Sequence, residues 1–138
     1  MHKQSKLPLR ITILLWLVLI ITAWNSIRLA TSIAWRNTLE TYALKPGPFY
    51  IGATGAFWTL IGLLLLWSFI RGYRWTRIVL LIAGVCYSIY IWVDKLFVQT
   101  QLRANWPFNL LTTILLLSYT VAVILDPHNQ IYFMKRDL

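Results

Sequence analysis

Apolar residues fill four long runs of this chain, Ile11–Ala30, Phe49–Ile70, Ile78–Phe97 and Pro107–Leu125, and polar residues gather between them. Each run is close to the ~20 residues with which an α-helix crosses the hydrocarbon core of a bilayer. The pattern predicts an all-α protein: an integral membrane four-helix bundle, built as two antiparallel hairpins with both termini cytoplasmic. The whole of residues 1–138 forms one transmembrane domain. Ionisable or strongly polar side chains enter the runs only near one end, as Asn25 and Arg28 in the first and Asp94 and Lys95 in the third.

Local signals mark the helix ends. Pro8 and Pro107 suit a first helical turn, where the missing N–H costs nothing. Lys45, Pro46, Gly47 and Pro48 form a stiff turn into the second run, and Asp126-Pro127 stops the fourth. Short interfacial helices are expected at Asn37–Leu44 and Val98–Arg103. The tail carrying Ile131, Tyr132, Phe133 and Met134 before Lys135 and Arg136 reads as an interfacial anchor or docking tail, with a frayed terminus as the alternative. The first run is too long for the apolar centre of a signal peptide, so a retained first helix is expected. A partial internal repeat is visible too. Trp24, Asn25 and Arg28 precede Pro48-Phe49 much as Trp92, Asp94 and Lys95 precede Pro107-Phe108, at different spacings.

Composition reinforces the membrane reading. Hydrophobic residues make up 59% of the chain and charged residues 12%, where a soluble domain needs roughly a quarter charged. The net charge of +9 does not point to nucleic acid, because the basic residues lie at membrane edges, where anionic lipid headgroups are nearest. They divide unevenly. Lys3, Lys6, Arg10, Arg71, Arg74, Arg77, Lys135 and Arg136 fall on one side, against Arg28, Arg36, Lys45, Lys95 and Arg103 on the other. The positive-inside rule then places both termini in the cytoplasm of a multi-pass protein of the plasma (inner) membrane. Trp24, Trp35, Trp92 and Trp106 mark the outer interface and Trp67 and Trp75 the inner one. Trp16 and Trp58 lie deeper, packed between helices or facing lipid.

Three groups of residues are candidates for a role. Arg28 and Asp94 both lie about 24–26 Å along their helices at ~1.5 Å per residue. They are expected to form an interhelical ion pair, with Asn25 completing a polar cluster; independent snorkelling to headgroups, or a binding or transport site, are the alternatives. Gly52, Gly55, Ala56 and Thr59, with Gly62, form a small-residue helix-packing face whose small-xxx-small spacing admits a second backbone, in the same chain or another. Ala83, Gly84 and Ser88 make a weaker patch. Arg71, Arg74 and Arg77 are expected to contact anionic lipid at the cytoplasmic face.

Absences narrow the chemistry. The histidines are His2 and His128, outside the hydrocarbon, so histidine ligation of haem within the bundle is not expected. The single Cys86 makes neither a disulfide nor a CxxC pair and reads as a small apolar core residue. Intramembrane protease and zinc motifs are missing. The acids Glu40, Asp94, Asp126 and Asp137 lie near or beyond an interface, unlike the mid-membrane acid of small multidrug exporters. Thr112, Thr113, Ser118 and Thr120 can donate to their own preceding helical turn. No catalytic residue, metal or cofactor is expected.

Trp24-Asn25-x-x-Arg28, Tyr90-x-Trp92-x-Asp94-Lys95 and Asn105-Trp106-Pro107-Phe108 together resemble small uncharacterised four-span membrane proteins of bacteria. The resemblance covers most of the length and implies no activity. The expected function is a non-catalytic accessory, structural or assembly subunit of a larger membrane protein complex, its partners being other membrane subunits, a second copy, or anionic lipid. The alternatives are a small oligomeric transporter, channel or lipid-handling protein, and a binder of a hydrophobic cofactor such as a quinone, carotenoid or pigment. Polar residues facing a wet interhelical cavity would favour transport; polar residues facing each other would not.

Overall fold

The computed structural model describes residues 8–42, 46–98 and 106–134, and among these every element is helical. Lys3, Lys6, Lys45, Arg103, Asn105, Lys135, Arg136 and Asp137 lie outside the described residues, as does most of the helix expected at Val98–Arg103. Four helices are long and apolar enough to cross a membrane: α1 (Leu9–Ala34), α3 (Pro48–Arg71), α4 (Thr76–Val93) with its continuation to Val98, and α5 (Trp106–Leu125). Two short helices accompany them, α2 (Arg36–Thr41) and α6 (Pro127–Met134). The α2 helix overlaps the segment expected at Asn37–Leu44, beginning one residue earlier and ending at Thr41.

The helix ends follow from local chemistry. Pro8 is the N-cap of α1, one residue earlier than a first-turn position, and Pro48 occupies the first turn of α3. Gly72 ends α3 in the left-handed conformation, φ 71°, where a side chain is disfavoured. Its N–H and that of Tyr73 donate back to Ser68 O. At the far end of α4 the hydrogen-bonding pattern changes: Asp94–Val98 is a single π-helical turn. Such turns recur at functional positions in helices. Pro127 breaks α5 from α6, and Asn129 Nδ2 donates to Val123 O at 3.2 Å across that break.

Packing is uneven among the four long helices. The α1 and α3 helices lie closest, α5 touches α4 and the start of α1, and α4 touches α3. An apolar core of Ile11, Leu14, Val18, Leu65, Phe69, Leu80 and Val123 fills one end of the bundle. Lipid tails are as apolar as leucine, so burial of these residues gives little drive to association in a membrane, and close van der Waals contact supplies more of it. That contact is made along α1 and α3. A Cβ added to Gly55 would lie 3.0 Å from Leu29 N and 3.1 Å from Asn25 O, so α1 and α3 meet there backbone to backbone. Gly52 lies against Ser32 and Gly62 against Thr22, while Thr59 Oγ1 is 3.4 Å from Ser26 Oγ. The small-residue face of α3 therefore meets α1 of its own chain. Gly84 is not pressed in the same way; its nearest potential neighbour is Leu117 Cδ2 at 3.7 Å.

The expectation that Cys86 is a core residue is overturned, because Cys86 is exposed. It shares the outward side of α4 with Val85, Ile89 and Val93, all exposed. In a hydrocarbon medium apolar character does not sort a residue inward, so Cys86 gains nothing by facing the core.

Candidate interhelical polar site

The candidate site lies at the end of the bundle away from the apolar core, where α1, α3 and α4 present polar side chains to one another. On α1, Asn25 and Arg28 are three residues apart and share a face. Asn25 is 0% exposed; its Nδ2 donates to Ile21 O at 2.8 Å and to the Tyr87 hydroxyl at 3.2 Å. Its Oδ1 is buried and accepts no hydrogen bond. Arg28 Nη1 donates to the Tyr90 hydroxyl at 2.9 Å. On α4, Tyr87, Tyr90 and Asp94 succeed each other at steps of three and four, so one helical face carries all three. Asp94, 8% exposed, opens the π-helical turn and lies beside the Tyr50 side chain from the first turn of α3.

Arg28 and Asp94 are thus brought into one cluster without forming the direct ion pair expected of them. Arg28 donates to the Tyr90 hydroxyl instead, and Asp94 lies beside Tyr50. The reason is geometric. The α1 backbone is tightly packed on α3 rather than on α4, and the gap to α4 is bridged by long tyrosine side chains. Trp58 closes the floor of the cluster. It is 8% exposed and meets Tyr87 edge-on, ring centroids 4.8 Å apart at 78°, with Tyr90 at 5.6 Å. Such edge contacts suit the charge distribution of aromatic rings.

Sequence reasoning named Asn25, Arg28 and Asp94 and missed Tyr50, Tyr87 and Trp58 as their partners. One signal was available: Tyr87, Tyr90 and Asp94 share a helical face, as do Asn25 and Arg28. Nothing in the sequence placed Tyr50 at the same height, since that depends on how far α3 slides along α1.

An apolar cavity of about 120 Å³ lies between α1, α3, α4 and α5, lined by residues such as Leu14, Leu17, Ile61, Leu80 and Leu116 and bordered by Trp58 and Tyr87 of the cluster. Asn25, Arg28 and Asp94 do not line it. The Ser and Thr hydroxyls that do are turned to their own helices: Thr22 donates to Val18 O, Ser88 to Gly84 O, Thr113 to Asn109 O and Thr120 to Leu116 O, at 2.7–2.8 Å. The Tyr87 hydroxyl accepts from Asn25. The cavity wall therefore offers few free hydrogen-bonding groups.

The opposite end of the bundle is fastened differently. Arg10 Nη1 meets Asp126 Oδ2 at 2.6 Å, Tyr119 donates to Arg10 O, and Arg77 Nη2 donates to Ile124 O at 3.0 Å. These contacts tie the starts of α1 and α4 to the end of α5. Arg71 lies over the Trp67 ring at 5.7 Å, beside the stacked pair Tyr73 and Trp75. Among the described residues, no three His, Cys, Asp or Glu side chains gather where they could hold a metal ion.

No protein-family model, curated protein or solved structure matches this chain.

Proposed function

We propose that this chain is a non-catalytic accessory or assembly subunit of a larger complex in a bacterial inner membrane. The observation that carries the reading is the direction of the polar groups. Asn25, Arg28, Tyr50, Tyr87, Tyr90 and Asp94 are turned to one another between helices, and the internal cavity is apolar. A path for a polar solute needs free polar groups along it, and a cluster engaged in tying three helices together is a fastening instead. The cavity of about 120 Å³ is also below the ~300–1,000 Å³ typical of small-molecule sites, which weighs against a quinone or pigment within a single bundle. In this reading the subunit acts by contact. The α5 helix, whose buried residue is Val123, offers the broadest unpacked face to a neighbouring subunit or a second copy.

In the same reading the spans form two antiparallel hairpins with both termini in the cytoplasm. Pairing of Ser32, Leu29 and Thr22 with Gly52, Gly55 and Gly62 in reverse order supports the first hairpin. Arg10, Arg71, Arg74 and Arg77 at one end support the orientation through the positive-inside rule. Purifying the tagged protein in a mild detergent and identifying the proteins retained by mass spectrometry tests the assignment. Stoichiometric membrane partners are expected, and a lone monomer overturns it. A reporter fused after Leu138 should read cytoplasmic; a periplasmic signal reverses the topology.

A further inference from the structure

We infer that the arginine-rich end of α4 holds one anionic phospholipid in a groove between α4 and α5. The groove encloses about 530 Å³ and is lined by Arg74 and Arg77 at its mouth and by Ile78, Leu81, Ile82 and Ile124 along its wall. This lining repeats the plan of a phospholipid, with charge at one end and hydrocarbon along the rest. Ile78 and Ile82 lie one helical turn apart and are largely exposed on the outside of the bundle, so the wall opens to the bilayer.

Arg77 is the anchor. Its Nη2 is held by Ile124 O at 3.0 Å, which fixes the guanidinium plane, and its Nε is buried without a hydrogen-bond partner. A neutral carbonyl leaves the cation uncompensated, and no carboxylate pairs with Arg77 among the described residues. A planar guanidinium fixed in this way suits a phosphodiester, whose oxygens match its fork. The start of α4 adds the positive end of a helix dipole to the same place. Arg71, expected from its sequence position to share in lipid contact, does not line the groove and lies over Trp67 instead. The inference thus assigns the lipid to Arg74 and Arg77 and stands independently of any partner subunit.

Native mass spectrometry of the full chain in a mild detergent, titrated with phosphatidylglycerol or phosphatidylcholine, tests it. One phosphatidylglycerol should be retained about tenfold more strongly than phosphatidylcholine, the scale expected of two arginines at an anionic headgroup. R74Q combined with R77Q should abolish the preference and R71Q should leave it intact. Inorganic phosphate should not displace the lipid, because it lacks the chain that fills the wall. Equal retention of the two lipids, equal loss in R71Q, or displacement by phosphate overturns the assignment. Should the double variant fail to fold, the wild-type protein is labelled with a phosphatidylglycerol carrying a photoreactive acyl chain. Labels at 78–82 and Ile124 support the site, and labels spread over α1 and α3 overturn it.

Discussion

Arg28 and Asp94 show how a charged side chain is kept near the edge of a bilayer. A lone charge at that depth is costly, and a hydrogen-bonded one is tolerated. Here Arg28 donates to the Tyr90 hydroxyl, and Asp94 is buried beside Tyr50. The Tyr90 phenol is long enough to cross the gap between α1 and α4 and meets Arg28 there. Exchanging the two charges, R28D with D94R, should therefore be no more stable than either single change. A double-mutant cycle of R28Q and Y90F should instead show coupling of about 0.6 kcal/mol or more, the scale of interhelical hydrogen bonds in membranes. Denaturation in mixed micelles followed by circular dichroism measures both, and rescue by the charge exchange would restore the direct ion pair. Asn25 and Arg28 could be read as candidates because polar residues in apolar runs are conspicuous. Tyr50 and Tyr87 could not, because tyrosine is ordinary at a membrane interface.

At the scale of elements, two glycines of the α1–α3 contact are in different situations. A Cβ at Gly52 would meet Ser32 Oγ at 2.7 Å and Ser32 Cβ at 3.5 Å, so the obstacle is one hydroxyl. At Gly55 the obstacle is the α1 backbone itself, which cannot step aside without moving the helix. Gly55→Ala should destabilise the bundle by about 1–3 kcal/mol, as overpacking does. Gly52→Ala should be relieved by adding Ser32→Ala, and Gly84→Ala should stay within about 0.5 kcal/mol of the parent. Unfolding titrations of the four variants rank them, and a Gly55→Ala protein as stable as the parent would mean that the two backbones do not meet. The spacing of small residues on α3 was legible in the sequence. Its partner was not, since a small-residue stripe fits any close helix, and only the docked bundle selects α1.

At the scale of the whole molecule, the bundle is tight between α1 and α3 and open around α4 and α5, which bury fewer of their residues. Cys86, the single cysteine, sits on that open side and gives a natural probe of it. A nitroxide attached there in vesicles should collide with oxygen more than with a water-soluble nickel chelate, the pattern of a lipid-facing position. Dominant nickel relaxation would place water beside α4 and favour a transport role. The sequence by itself determined that the described residues are helical, that four of their helices are long and apolar enough to span a membrane, and where those helices lie to within a few residues. Length, hydropathy and proline or glycine punctuation act locally, so they need no knowledge of neighbours. The tertiary structure alone decided that Arg28 donates to Tyr90, that Cys86 faces outward, and that Arg77 and not Arg71 lines a groove. In lipid, apolar character does not tell a residue which way to face, so helix rotation and sliding are set by close packing and hydrogen bonds between helices.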